Sequence, residues 1–470
     1  MQHYALLSRE EIEQVHETSL QILEKIGLDL FYEPARTLLA RMGARVDGSR
    51  VRFSPPLVEE QLRKAPSRFT LHARNPKYTL DIGGGRPHYL PANCPALVHD
   101  SIDGQRYGTL KDYNAFVKLT HISPHMDMCS NVLVEPVDVP EQLRHLSMTE
   151  ACLRLTDKCF MGSCMGARVA RDVLDMLAMV YGRDSLLSEP RVMSIPCSMT
   201  PLCYDSCMLG TLMEYAGAGQ PVMINAITMA GASAPVTMAG ALSLQNAEVL
   251  AGIILAQAVR EGTPVVYASG SSNVDFRTGS FSVGSPEMAM NNVLTAQMAR
   301  YYSLPSRGAG ALTDSPVPDA QAGYESMLNL SMAVSSGVDI ILHAAGSLET
   351  LKCMSYEKFV MDEELISMMK RIRRGVHVGK DSLAFEVIEE VGPGGQFLDH
   401  DHTFEHFREE IYLPTVSTRD SFGDWLDHGA YYTEKRARTR SMFLLESYTA
   451  PDFSDSLARD LNEFIERRGR

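Results

Sequence analysis

Residues 222–227 read Val-Met-Ile-Asn-Ala-Ile and residues 264–268 read Pro-Val-Val-Tyr-Ala. These two apolar runs enclose the stretch that decides the fold. Between them, from Ala241 to Arg260, apolar side chains recur on one face of a helix, the clearest being Val249, Leu250, Ile253 and Ile254. A strand, a helix and a second strand in this order predict parallel pairing through a right-handed crossover. The stretch therefore predicts an α/β fold.

The same alternation of short β-rich runs and amphipathic helical segments occurs in eight units along the chain. The predicted strands are Ala96 to His99, Met128 to Val134, Cys159 to Ser163, Val192 to Pro196, Val222 to Ile227, Pro264 to Ala268, Ser306 to Ala309 and Val338 to His343. Eight units of this length close most simply into a TIM-type (β/α)₈ barrel. The Gly-containing strand at Ser306 has little strand propensity, so an open doubly wound sheet is the alternative.

The segments outside these units predict additions at both ends of the chain. Ser8-Arg9-Glu10-Glu11 has the pattern of a helix start, and short alternating runs follow it at 51–54 and 69–73. Beyond about Lys380 the alternation is lost. We therefore expect a helical and strand cover over residues 1–94, a barrel over 95–379 and a helical appendage over 380–470.

Composition and charge exclude several classes of function. The 470 residues are 45% hydrophobic and 22% charged, with a net charge of −14 that disfavours nucleic acids and anionic membranes as partners. We find no apolar run of roughly 18 residues or more and no basic-then-apolar signal after Met1. The nine cysteines show no Cys-x-x-Cys spacing. These features predict a cytoplasmic protein with reduced thiols.

In a barrel of this type the working residues sit at the carboxyl ends of the strands. That rule selects His88, Tyr89, Asn93, His99, Asp100, Asn131, Glu135, Ser163, Ser198, Thr200, Asn225, Thr228, Ser269 to Asn273, Asp314 and His343. His343 ends a very apolar run, where an imidazole is costly to bury without a partner or a cavity.

The His- and Asp-rich segment from Asp399 to His406 fits no metal-ligand spacing. It reads instead as a polar helix start capped by Asp401 or Thr403.

Four motifs, in this order, resemble those of the trimethylamine methyltransferase family. They are Thr313-Asp314-Ser315-Pro316-Val317-Pro318-Asp319-Ala320-Gln321-Ala322-Gly323-Tyr324-Glu325, His343-Ala344-Ala345-Gly346-Ser347-Leu348-Glu349, Ser355-Tyr356-Glu357-Lys358 and Val391-Gly392-Pro393-Gly394-Gly395-Gln396-Phe397-Leu398. The opening Leu7 to Ile12 is similar as well, so the resemblance spans nearly the whole chain.

The resemblance implies a TIM barrel that transfers a methyl group to Co(I) of a corrinoid on a separate small protein, and an enzyme that self-associates. The trimethylamine branch of the family contains pyrrolysine, whereas all 470 positions here are standard residues. The chain therefore resembles the non-pyrrolysine branch, whose members use glycine betaine, proline betaine or carnitine.

Methyl transfer from a quaternary amine needs no proton, because a neutral tertiary amine leaves. We therefore predict no acid–base dyad and no metal of the enzyme's own. A trimethylated nitrogen favours aromatic faces, for which the candidates are Tyr89, Tyr204, Tyr267, Phe276, Tyr324 and Tyr356. A substrate carboxylate favours His343, Arg307, Asn225 or Asn93. The predicted binding set is His343, Tyr89, Asn93, Asn225, Arg307, Tyr356 and Glu135.

Two alternatives remain open from the sequence. One is a barrel protein that binds a methylamine without methyl transfer. The other is a metal-dependent demethylase of tertiary amines, supported only by the number of cysteines and histidines.

Overall fold

The computed structural model describes residues 3–102 and 104–469. Its helices are α1 Arg9–Gln21, α2 Glu33–Arg41, α3 Pro55–Lys64, α4 Leu110–Ile122, α5 Glu141–Leu155, α6 Ala167–Tyr181, α7 Arg183–Ser188, α8 Ser206–Gly217, α9 Met238–Val259, α10 Pro286–Tyr301, α11 Ala320–Ser336, α12 Tyr356–Arg374, α13 Lys380–Leu383, α14 Phe385–Val391, α15 Asp401–Glu410, α16 Phe422–Asp427, α17 Thr433–Glu446 and α18 Asp455–Arg468.

The strands are β1 Leu28–Leu30, β2 Arg45–Asp47, β3 Arg50–Arg52, β4 Phe69–Leu71, β5 Leu80–Ile82, β6 His88–Tyr89, β7 Leu97–Asp100, β8 Gly104–Tyr107, β9 Met128–Cys129, β10 Cys159–Phe160, β11 Cys203–Tyr204, β12 Val222–Ala226, β13 Met229–Ala230, β14 Val265–Ser269, β15 Ser272–Val274, β16 Phe281–Ser282, β17 Ser306–Ala309, β18 Ile340–Leu342, β19 Ser347–Leu348 and β20 Cys353–Ser355.

The centre of the molecule is a set of parallel strands whose pairing returns to its starting point. Five strands pair in the order β12, β14, β17, β18 and β6, and every pairing is parallel. From β6 the pairing continues to β9, because the Asp127 N–H donates to the Tyr89 carbonyl over 2.9 Å, and then to β10. Parallel bridges from Met161 to Met193 and from Ser194 to Val222 lead back to β12.

Burial explains why these segments form strands. Every residue of β12, β14, β17 and β18 is buried, since helices cover one face of the strands and packed side chains fill the other. The predicted α/β class is thus confirmed, and the weak strand at Ser306 is present as β17. Asp339 supports that strand, since its carboxylate accepts a hydrogen bond from the Ser306 N–H over 2.9 Å.

The prediction for the first central strand is wrong. Ala96 to His99 falls on β7, which pairs antiparallel with β8 and parallel with β20 in a separate sheet. The strand that completes the central pairing is instead β6, which pairs with β18. It contains only two residues, His88 and Tyr89. Two residues, one of them a histidine, give no periodic apolar signal. The division of the chain at residues 94 and 379 stays a prediction.

The helix α9 is the apolar helix predicted between β12 and β14. By length and composition alone it could cross a membrane, with a mean hydropathy of 1.4, but 78% of that window is buried inside the protein. Its polar side chains are bonded within the fold, as Asn246 is to Ser19 over 2.9 Å. These are features of a core helix.

Additional elements cover the central strands at both ends of the chain. Helix α1 begins with the predicted capping box, in which Ser8 and Glu11 bond reciprocally, and α1 and α3 pack against α9. Near the C-terminus, α17 packs on α12 and α4, and α18 packs on α5 and α6.

A buried ion pair joins α12 to the loops that follow two central strands. The Lys358 ammonium lies 2.7 Å from one oxygen of Asp362, and both side chains are 1% exposed. Lys358 also donates to Ser326 on α11, and Asp362 accepts from the Gly346 N–H. Burial raises the pKa of Asp362 to about 6 although Lys358 opposes this rise. The pair is stabilising only while both partners are present.

We expect Asp362→Leu to lower the free energy of unfolding by about 3–5 kcal/mol, because it leaves the Lys358 ammonium buried without its partner. The double variant Lys358→Met/Asp362→Leu should recover most of this loss. Urea denaturation followed by circular dichroism measures both. Glu349→Gln, which removes a partly exposed pair with Lys352, is the control and should cost under about 1 kcal/mol. If Asp362→Leu left the free energy of unfolding nearly unchanged, the interpretation of this ion pair would be contradicted.

Candidate functional site

A cavity of about 570 Å³ lies at the carboxyl ends of the central strands. Residues within or directly after five of these strand segments line it: Ser163 to Met165 after β10, Asn225 and Ile227 at β12, Gly270 after β14, Arg307 and Ala309 on β17, and Leu342 and His343 at β18. This is the volume of a small-molecule site, at the position where α/β proteins place their working residues.

Arg307 brings a buried positive charge to this cavity. Its side chain is 2% exposed, one Nη donates to the Ser269 carbonyl over 2.6 Å, and its Nε has no hydrogen-bond partner. No carboxylate of the described residues pairs with it. Burial lowers the pKa of Arg307 to about 10, so the group stays charged at neutral pH. A buried cation without a counter-charge is costly unless a ligand supplies one.

His343 presents a neutral imidazole beside this guanidinium. Its Nδ1 accepts a hydrogen bond from the Asn93 N–H over 3.2 Å, so in the neutral ring the proton is on Nε2. Burial, and then the charge of Arg307, lower the pKa of His343 well below 6.5. The residue has φ +58°, a left-handed backbone that turns the chain at the end of β18. This part of the cavity thus holds one buried cation and, beside it, one neutral imidazole.

Two asparagines add polar groups at fixed positions. Asn225 donates to the Cys197 sulfur over 3.2 Å, while its buried Oδ1 has no partner. The Oδ1 of Asn93 accepts from the Val132 N–H over 2.9 Å. Asn93 therefore orients His343 through its backbone and is itself fixed by its side chain.

The remaining wall is apolar and rich in sulfur, with acidic and basic groups on the helices nearest the mouth. The apolar lining includes Met148, Met208, Met288, Phe281 and Leu312. Glu135 lines the cavity while paired with Arg144 at 3.0 Å. Arg168, with a side chain 57% exposed, shows that this wall reaches solvent.

The structure brings five of the seven predicted binding residues to the cavity, namely His343, Asn93, Asn225, Arg307 and Glu135. It does not bring Tyr89 or Tyr356 there. Tyr89 lines a separate groove with Lys370, whose ammonium lies 5.1 Å from the ring centroid. Tyr356 stacks on Phe116 at 4.4 Å and donates its hydroxyl to Asp112. Both rings are therefore engaged elsewhere.

The other aromatic candidates are also absent from the lining. Tyr204 and Tyr267 are buried and donate to Glu248 and Asn246, whereas Phe276 and Tyr324 are 75% and 65% exposed. Among the described lining residues, Phe281 is the only phenylalanine, tyrosine or tryptophan.

Sequence reasoning missed the residues that reach the cavity from helices. His145 on α5 lines it and bonds to Asp172 over 3.1 Å, and Gln142, Arg144 and Arg168 lie beside it. A search of strand ends alone could not find them, since they belong to helices α5 and α6.

Asp314 was selected from the sequence but is structural. Its carboxylate accepts from Ser282, Val283, Gly284 and Thr350, which ties three loops together.

Among residues 3–102 and 104–469, no group of three or more His, Cys, Asp or Glu side chains is arranged to hold a metal ion. In the His-rich segment, His400 caps α15 by accepting from the His402 N–H. The cap is thus His400, one residue before the predicted Asp401 and three residues before the predicted Thr403, so both predicted caps are wrong.

A cavity at the carboxyl ends of parallel strands, with a buried and unpaired guanidinium in its wall, is the arrangement of an α/β protein with a small-molecule site. The family follows from sequence comparison: a profile described as trimethylamine methyltransferase (MTTB) matches residues 1–470. The chain belongs to this family, as its motifs predict.

Two relatives and one solved structure illustrate the likeness. The glycine betaine methyltransferase of Desulfitobacterium hafniense (strain Y51) is 43% identical over 99% of this chain and 98% of its own. The proline betaine:corrinoid methyltransferase of Eubacterium limosum is 28% identical over 98% of this chain and 96% of its own. The monomethylamine methyltransferase (MtmB) of Methanosarcina barkeri superposes with a TM-score of 0.55 at 10% identity, covering 95% of this chain and 89% of that chain, and so shares the fold.

The lowered pKa of His343 makes stability depend on pH. Below about pH 6.5 an unfolded histidine binds a proton that folded His343 does not. The free energy of unfolding therefore decreases as the pH is lowered. We expect His343→Asn, which tolerates the left-handed backbone, to reduce this fall between pH 6.5 and 5.5 by about 1 kcal/mol. Urea denaturation at each pH measures it.

The control is His428→Asn, at an exposed imidazole whose pKa Asp420 raises. This change should not reduce the fall of the free energy of unfolding between pH 6.5 and 5.5. Parallel profiles for wild type and His343→Asn would show that His343 does not titrate as the burial implies.

Proposed function

We propose that this chain transfers a methyl group from a carboxylate-bearing quaternary amine, such as glycine betaine or proline betaine, to Co(I) of a corrinoid carried by a separate protein. The observation that carries this proposal is Arg307, a buried cation in the cavity wall that pairs with no carboxylate of the described residues. The methyltransferase relatives named for betaines support the choice of substrate class.

We further propose that the fold is a TIM-type (β/α)₈ barrel. Eight parallel segments begin at β6, β9, β10, the bridged segment around Met193, β12, β14, β17 and β18, and each is followed by a helix. The returning pairing of these segments supports closure, which an open doubly wound sheet lacks.

The carboxylate of the substrate binds at Arg307. A carboxylate there receives charge-assisted hydrogen bonds from the guanidinium, whose Nε is unpartnered, and the Nε2–H of His343 is a further donor on the same lining. Because His343 is neutral, the one buried positive charge at this end of the cavity, that of Arg307, matches the single negative charge of a betaine.

The trimethylammonium end binds to the apolar, sulfur-rich wall. It can donate no hydrogen bond, so it favours the Phe281 ring, methionine sulfurs and the carboxylate of Glu135. This arrangement replaces the cage of tyrosines expected from the sequence.

The chain's own residues act by orientation. Co(I) of the corrinoid supplies the nucleophile that takes the methyl group, and the departing amine is neutral, so no residue has to give or take a proton. Holding the carboxylate at a fixed end directs the opposite, methylated end along the cavity. His343, neutral and fixed by Asn93, is thus a binding group.

A carrier protein fits the surface around the cavity mouth. Apolar side chains on the loops after the central strands are exposed there: Met165, Ile227, Val236 and Phe276. Exposed apolar side chains grouped at one end of a protein mark an interaction surface. We also propose a cytoplasmic location, which suits the nine free cysteines.

An anaerobic absorbance assay tests the function. The chain is mixed with Co(I) corrinoid, free and on a carrier protein, and with glycine betaine, proline betaine, carnitine or trimethylamine. We expect a betaine to convert the Co(I) spectrum to that of methylated corrinoid. Conversion with trimethylamine alone would overturn the substrate assignment. Betaine binding without conversion would favour a binding protein.

A second test concerns Arg307. We expect Arg307→Met to weaken glycine betaine binding by about 10- to 100-fold, the equivalent of losing a charged hydrogen bond of about 1.5–3 kcal/mol. Choline, which lacks the carboxylate, should bind wild type and variant alike. Isothermal titration calorimetry measures both ligands.

Arg168→Met is the matched control, because it removes a guanidinium from the exposed edge of the same cavity. Equal losses in the two variants, or an equal loss for choline, would rule out Arg307 as the carboxylate-binding group.

A further inference from the structure

Residues 376–409, the arm, fold without packing on the rest of the chain. The arm contains α13, α14 and most of α15, and none of its residues is buried. Within the described part of the chain, no hydrogen bond or ion pair joins residues 376–409 to residues outside 375–411; the ion pairs of Lys380 with Glu386 and of His400 with Glu390 lie inside the arm. Helices this short are unstable alone in water, so the arm needs a surface to cover it.

The arm exposes apolar side chains along its whole length. Eight of them are between 44% and 82% exposed: Val376, Val378, Leu383, Phe385, Ile388, Phe397, Leu398 and Phe404. Their combined exposed area is on the order of 900 Å². One partner in a standard protein interface buries about 800 Å². The arm alone is therefore large enough to hold two molecules together.

The arm also carries a strong negative charge. It contains eight acidic residues, Asp381, Glu386, Glu389, Glu390, Asp399, Asp401, Glu405 and Glu409, against Lys380 and Arg408. The surface next to its start is basic, since Arg86, Lys370, Arg373 and Arg374 surround Asp127 in a groove of about 400 Å³. Among the described residues, Arg86 and Arg374 form no ion pair. The arm and the basic groove therefore have complementary charge.

The position of the arm excludes the cavity mouth. The end of α12, where the arm begins, contacts residues that precede central strands: Arg373 donates to the Gly85 carbonyl before β6, and Lys370 to the His125 carbonyl before β9. The arm returns to the same end, where Glu410 pairs with Arg371. The cavity opens at the opposite, carboxyl ends of the strands. A carrier protein that works at the cavity is thus not the molecule that covers the arm's base.

We infer that the arm of one chain binds the basic groove and arm of a second copy of this chain. Each copy offers both an acidic apolar arm and a basic groove, so two copies related by a two-fold axis satisfy each other reciprocally. The dimer leaves both cavities free, because its interface lies at the amino-terminal ends of the strands.

Charge-swapped variants of the full chain test this inference. Variant one is Glu386→Lys/Glu389→Lys/Glu405→Lys/Glu409→Lys, which makes the net charge of the arm positive, and variant two is Arg86→Glu/Arg374→Glu, which makes the groove acidic. Light scattering after size-exclusion chromatography should give wild type twice the chain mass of 52.0 kDa. The dissociation constant of the dimer should be roughly tenfold higher for each variant alone than for wild type. An equimolar mixture should restore the dimer, since each arm then meets a groove of opposite charge.

The control is Arg45→Glu/Arg467→Glu, which makes the same change of charge as variant two at two exposed arginines outside the arm and the groove. It should leave the dimer intact. A monomeric wild type, variants that dimerise like the control, or a mixture that does not recover would overturn the inference. So would arm variants that keep the dimer and lose only the carrier. The readout is mass, so its outcome is independent of methyl transfer.

Discussion

Parallel strands place one demand on the whole molecule: both of their faces have to be covered, and every backbone group along them has to be paired. Here helices cover one face and packed side chains fill the other, as in β12 and β14, where all residues are buried. Polar side chains can face an open space only where the strands end. That edge is where Arg307, Asn225 and His343 come together, although they lie far apart in the chain.

The electrostatics of this edge follow from burial. A guanidinium with no carboxylate partner remains charged even when burial lowers its pKa, whereas an imidazole beside it becomes neutral. The two neighbours therefore still differ in charge below about pH 6.5, where an exposed imidazole would be protonated. Under the proposed function, one buried cation, one neutral donor and an apolar wall favour a small zwitterion over a simple cation or a dianion.

The two ends of the strands present different surfaces. Exposed apolar loops surround the cavity mouth, and the acidic arm and basic groove lie where α12 ends, next to residues that precede β6 and β9. Because these surfaces lie at opposite ends of the strands, the second copy that we infer and the carrier protein that we propose would bind without competing. The buried pair of Lys358 and Asp362 fixes α12 in that position.

The sequence by itself determined the features that depend only on residues close together in the chain. The alternation of apolar runs and helical spacing determined the α/β class, the capping box at Ser8 determined the start of α1, and the four motifs determined the family. The strand-end rule also found five cavity residues. The short strand β6, the packing of Tyr89 and Tyr356 away from the cavity, and the arrival of His145 from α5 were decided only by tertiary structure. Each depends on which distant segment lies beside it, and a pattern read along one chain contains no such neighbour.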